Sequence, residues 1–166
     1  MKKLSLIIIV LFTFISCQED VRFNNPSLQG MKDNVFWRAV ESKATITSAN
    51  VLSIEAYTRN EKLTLIMPKP TTLINPNVES SYVTYFLGTS TNRTATYVLS
   101  DTGGSIISFS TGFGIGDGQI TINEYDAVNN TVSGTFKFNA ENTDNNSLAG
   151  PLVNFQQGVF YKVPVR

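Results

Sequence analysis

Apolar side chains fall on every second residue through much of this chain, and that spacing confines it to sheet. Leu52, Ile54 and Ala56 alternate with Ser53, Glu55 and Tyr57, and Leu63, Leu65 and Met67 repeat the pattern after a short break. Val132, Gly134, Phe136 and Phe138 do so again, against Ser133, Thr135, Lys137 and Asn139. A repeat of two puts one set of side chains under cover and the other in water, as in antiparallel strands with one buried face. After the first 16 residues no long stretch carries the 3.6-residue repeat of an amphipathic helix.

Turn chemistry divides the pattern into strands. Asp33-Asn34 reads as a two-residue hairpin turn between 27–32 and 35–39. Residues 35–40 read alternatively as one or two helical turns. Further strands are expected at 43–49, 51–58, 61–67, 82–87, 93–99, 105–111, 152–155 and 159–163, with a long hairpin over 119–140 that turns at 127–130. Pro68, Pro70 and Pro76 cannot donate ladder hydrogen bonds, so 68–79 is expected to be the longest loop. Asp101 to Gly104 reads as a hairpin turn, and 141–150 as a polar loop. The expected fold is all-β, a single antiparallel β-sandwich or partly closed β-barrel of about 8–11 strands, preceded by a signal-peptide helix.

The first 20 residues, MKKLSLIIIVLFTFISCQED, obey a different rule. Lys2 and Lys3 precede an uncharged run over 4–15, and Ser16 and Cys17 follow it. The run is too short to cross about 30 Å of hydrocarbon, which takes about 20 residues, and it has the form of a secretory signal. Cys17 is the only cysteine, so no disulfide can form within the chain. Phe14-Ile15-Ser16-Cys17 resembles the lipobox of bacterial lipoproteins, with Phe14 where Leu is commoner. That resemblance implies cleavage after Ser16, a diacylglycerol on the Cys17 thiol and acylation of the new amino group. One acyl chain holds a protein only marginally, at about 0.8 kcal/mol per buried methylene, whereas several make a lasting anchor. Gln18-Glu19-Asp20 resembles the acidic export tag of some Gram-negative surface lipoproteins. The implied location is the outer membrane, facing the periplasm or the cell surface.

The expected organisation is therefore a signal peptide at 1–16, a lipid-anchored tether at 17–26 and a β domain at 27–166. The tether reaches at most about 35 Å from Cys17 to Ser27. The leader takes two lysines and no acid with it, which turns a net charge of zero into −2. A chain of that charge is not built for nucleic acid or a polybasic membrane contact. Histidine is absent, which removes the commonest general base and metal ligand. No cofactor and no metal are expected.

Chemistry-bearing motifs are few. Gly112 to Gly118 holds four glycines but lacks the lysine and the following helix of a phosphate loop. Glu124 and Asp126 lie two apart, close to the spacing that paired-carboxylate hydrolysis needs, yet they abut a turn where Asp commonly caps its own backbone. Trp37 reads first as a core residue or a plug at the end of a barrel. Trp37, Tyr82 and Tyr85 are the candidate ligand-binding residues. The expected function is that of a non-enzymatic, lipid-anchored envelope module with a protein or glycan partner. The alternatives are a carrier of a small apolar ligand inside a barrel and, below it, a carboxylate-based hydrolase.

Ile122-Asn123-Glu124-Tyr125-Asp126 with 132–138 (VSGTFKF), the late 154–160 (NFQQGVF) and Trp37-Arg38-Ala39 resemble a family of uncharacterised bacterial lipoproteins. The resemblance implies one β domain behind a lipid anchor and brings no activity with it.

Overall fold

The computed structural model describes residues 27–72, 74–100, 106–144 and 149–166. The leader, Cys17, the tether and the turn at 101–104 lie outside the described residues. The strands are β1 (Ser27–Lys32), β2 (Val35–Arg38), β3 (Glu41–Ile46), β4 (Val51–Tyr57), β5 (Glu61–Pro68), β6 (Val83–Leu87), β7 (Thr94–Ser100), β8 (Ile106–Ser110), β9 (Asp117–Asp126), β10 (Thr131–Asn142) and β11 (Leu152–Pro164). A 3-10 turn, Glu79–Ser81, interrupts the loop before β6. Every ladder is antiparallel.

One sheet holds all the strands, in the order β2-β1-β11-β10-β8-β7-β5-β4-β3. β10 is long enough to serve two neighbours on one edge. Thr131 to Asn139 pair with β9, which carries β6 on its far side, and Glu141 and Asn142 pair with β8. The sheet curls into a half-barrel. Its seam is a parallel bridge between Ala44 and Val165, where the Arg166 N–H donates to the Ala44 carbonyl at 2.9 Å.

The curl comes from β11. Its register against β10 shifts twice, and Gln157 and Lys162, one at each shift, adopt φ of 52° and 47°. Bulges of this kind add a residue to one strand and sharpen its bend. Sequence alone suggested two strands separated at Gly158; the chain instead keeps one strand and bends it. Two glycines make the bend possible. Gly134 lies opposite Phe160 and Gly158 opposite Phe136. A Cβ on Gly134 would sit 2.4 Å from the Phe160 ring, and one on Gly158 would sit 2.6 Å from the Phe136 ring. Each ring occupies the space its partner leaves, a device that covers backbone and fixes register together.

The interior is lined as the alternation requires. Leu52, Ile54, Ala56, Leu63, Leu65 and Met67 are fully buried. Burying one Leu or Ile contributes about 1.5–3 kcal/mol, so a one-residue slip of β4, which would turn its whole apolar set outward, is heavily disfavoured. The turn at Asp33 and Asn34 has φ of 49° and 65°, as a two-residue hairpin of the primed type demands. Residues 35–38 are strand, not helix.

Three local expectations change. β3 ends at Ile46 rather than 49, because Thr47 and Asn50 close a turn with the Asn50 N–H on the Thr47 carbonyl. β6 begins at Val83, after Tyr82, and although residues 82–87 read as a strand with both faces apolar, only one face is covered: Tyr85 and Leu87 are buried while Phe86 is 57% exposed. Ser133, on the nominally wet face of β10, is buried. The register shift beside it turns the site inward, and its hydroxyl donates to Glu124 Oε2 at 2.9 Å and accepts the Lys162 N–H at 3.0 Å. Ser133→Ala is expected to cost about 1–2 kcal/mol in urea unfolding, since it removes the acceptor of that N–H and leaves the m-value unchanged.

Candidate functional site

Two polar assemblies stand out, one inside the barrel end and one on its outer face. The inner one centres on Glu61, the first residue of β5. Lys32 Nζ and the Tyr97 hydroxyl both donate to its Oε1 at 2.5 Å, and Trp37 Nε1 donates to its Oε2 at 2.5 Å. Thr58 adds a 3.0 Å bond to Oε2, and its hydroxyl oxygen accepts the Glu61 N–H. Lys32 also donates to the Tyr97 oxygen at 2.8 Å and lies over that ring. The donors arrive from β1, β2 and β7, so one carboxylate ties the first hairpin to the central strands.

Burial opposes the charge on Glu61, but the bonds from Lys32, Tyr97 and Trp37 outweigh it and hold its carboxyl down at about 2. The Tyr97 phenol is pushed well above its ordinary value, first by burial and then by the same carboxylate. Below this layer the rings of Trp37, Tyr97, Phe136 and Phe138 surround Phe155, with centroids 4.9–6.1 Å from it. Trp37 Nε1, the Tyr97 hydroxyl and two of the three Lys32 N–H donors are engaged within the chain, and the arrangement is a latch between strands.

The outer assembly is open to solvent. Register sets it out in rows across β6, β9, β10 and β11. Phe86 lies opposite Gln119, which lies opposite Lys137; Thr84 lies opposite Thr121, which lies opposite Thr135 and then Val159. The Thr84 and Thr121 hydroxyls are 2.9 Å apart and hydrogen-bonded. Two adjoining grooves follow these rows, with volumes of about 420 Å³ and 460 Å³, and Gln119 and Thr135 line both. Gln156 and Gln157 close one end, and Tyr82, Asn123 and Glu79 the other. Asn123 reaches the groove because β9 carries an extra residue there: Glu124 and Ile122 face successive residues of β10, and Asn123 has no partner. The lining holds one carboxylate, Glu79, and one ammonium, Lys137, and is otherwise neutral.

The three aromatic residues singled out from sequence are not brought together. Trp37 is 5% exposed, packed edge-on against Phe155 with its N–H on Glu61, a plug at the barrel end. Tyr85 points into the core, where burial raises its phenol and Arg93 only partly opposes this. Tyr82 alone lines the outer groove; its hydroxyl donates to the Pro76 carbonyl at 2.8 Å. In sheet order β1, β11, β10 and β9 separate β2 from β6.

The paired carboxylates are engaged by their own chain. Asp126 Oδ1 accepts the Val128 and Asn129 N–H groups at 2.9 Å, and the bonds from Asn129 hold its carboxyl below the usual range. Glu124 accepts from Ser133. Gly112 to Gly118 is a strand connection whose Gly116 N–H donates to Glu141, and it leads into β9 rather than a helix. Among the described residues, no three acidic, histidine or cysteine side chains gather closely enough to hold a metal ion.

Sequence reading missed both assemblies, apart from Tyr82 at one end of the outer groove. Glu61 looks like an ordinary turn-flanking residue, and its partners come from 24 to 36 positions away. The outer groove did leave a trace in Thr135 and Lys137, recognisable as a wet face, but the neighbours that complete it lie on other strands.

A family model described as a domain of unknown function (DUF6252) matches residues 24–164. No curated protein and no solved structure matches the chain.

Proposed function

The chain belongs to this family, DUF6252, and from that premise we propose that it is a lipid-anchored envelope protein that acts by binding, not by turnover. The observation that carries the reading is the outer groove: two adjoining hollows on a rigid sheet face, lined by carboxamides and hydroxyls with no activated nucleophile among them. The carboxylates that a hydrolase reading needs are tied into a turn and a bulge, which also favours binding. The anchor rests on sequence. Cys17 ends an uncharged run behind two lysines, and acyl chains there would place the β domain at the outer membrane, on the periplasmic side or the cell surface.

Two measurements test this. Mass spectrometry of the native protein should find a chain beginning at an acylated Cys17; a free thiol or a retained leader removes the anchor. A photo-crosslinking side chain at Thr135, in intact envelopes, should yield adducts that the same group at exposed Glu41 does not. Equal yields from both positions, or none, would remove the groove as the binding surface.

A further inference from the structure

We propose that the outer groove of β6, β9, β10 and β11 binds a neutral oligosaccharide chain; this rests on the binding reading above and names the occupant. Charge comes first. Glu79 and Lys137 are of opposite sign and line different hollows, so the lining offers neither a cluster of cations for an anion nor the reverse. A charged ligand desolvated there would find no matched set of partners, and charge-assisted bonds are the ones that hold ions.

Hydrogen-bond chemistry points the same way. Gln119, Asn123, Gln156 and Gln157 each carry both a donor and an acceptor, as do the threonine hydroxyls beside them. A sugar hydroxyl is likewise both donor and acceptor, so successive hydroxyls of a glycan can be met without fixing the direction of any one proton. Shape adds a third argument. The hollows adjoin at Gln119 and Thr135 and are open to solvent, which suits a chain crossing the sheet better than a single enclosed molecule.

Phe86 supplies the apolar element. Its ring is 57% exposed and stands across the ladder from Gln119, at the head of the same row. The C–H face of a pyranose packs on such a ring while its equatorial hydroxyls reach the neighbouring carboxamides. The strands are paired and the Thr84–Thr121 bond pins one row, so little ordering is needed on binding.

The test is calorimetric titration of the native protein, purified from envelopes, with neutral hexasaccharides: maltohexaose, cellohexaose, laminarihexaose, xylohexaose, mannohexaose and hexa-N-acetylchitohexaose. Hexagalacturonate serves as the charged control. At least one neutral probe should bind with one-to-one stoichiometry, and Phe86→Ala and Gln119→Ala should each weaken it about tenfold while leaving thermal unfolding unchanged. Both side chains lie on the wet face, so neither variant should disturb folding. The proposal is overturned if no neutral probe binds, if both variants bind like the parent, or if hexagalacturonate binds more tightly. Failure of all six probes with the Thr135 crosslinks intact removes the glycan and leaves a binding module with a protein partner. Failure of both removes the binding reading as well.

Discussion

Phe155→Ala should cost about 4 kcal/mol, the largest loss expected from any single truncation in this domain. Phe155 is fully buried in β11, and four aromatic rings meet it: Trp37 and Tyr97 edge-on, Phe138 stacked at 4.9 Å and Phe136 tilted. Removing the ring opens a void that these neighbours cannot all collapse into, because three of the four are held elsewhere. Tyr97 and Trp37 are fixed by Glu61, and Phe136 is seated over Gly158. Phe155→Leu refills part of the space and should cost less than half as much. Urea unfolding followed by the fluorescence of Trp37, the only tryptophan in the chain, measures both. Near-parental stability of the alanine variant would show that Phe155 is not the centre of the core.

Glu61→Gln should cost about 3 kcal/mol at neutral pH. The substitution keeps the shape but strands the Lys32 ammonium and offers the Tyr97 hydroxyl and Trp37 N–H a single carbonyl in place of two charged oxygens. The Glu61 and Lys32 side chains are only 16% and 24% exposed, so solvent relieves little of this. The same residue sets the acid limit of the fold. Its carboxyl lies at about 2 in the folded chain against an ordinary 4.5, so the unfolded state binds the proton more tightly. Stability from Glu61 is therefore complete above about pH 4.5 and is lost as pH falls toward 2, by roughly 3 kcal/mol in all.

Glu55, bonded to Lys62, Tyr57 and Lys43 on the outer face, is also held at about 2 and adds an acid-sensitive contribution of its own. The Glu61→Gln variant should thus keep part of the slope between pH 5 and pH 2, and its deficit against the parent should shrink as pH falls. A variant and parent whose stabilities run parallel through that window would show that Glu61 is not ionised in the latch.

The strands were legible because their signal is local. Leu52 to Met67 and Val132 to Phe138 announce their buried face residue by residue, and Asp33-Asn34 announces its turn. What could not be read is what depends on partners far along the chain. The curl of the sheet lies in the bulges at Gln157 and Lys162, and neither residue type advertises a positive φ. Ser133 is buried only because the ladder slips beside it. Glu61 becomes a latch only once β1, β2 and β7 converge on it. Trp37 and Tyr85 drew attention as aromatic residues, yet their faces are settled by strand order, which a single sequence does not carry.

β11 is the partner of β1, and the residues just after it bridge β3. β1 and β3 precede β11 by most of the β domain, so an edge of each waits for it. Each can pair its neighbour in sequence, but its other edge stays bare until β11 docks, and a bare strand edge invites pairing with a stranger. Phe36, 62% exposed on β2, and Val40, 87% exposed just beyond it, sit beside those waiting edges. A holding chaperone should therefore suppress aggregation of this chain for as long as β11 has not docked.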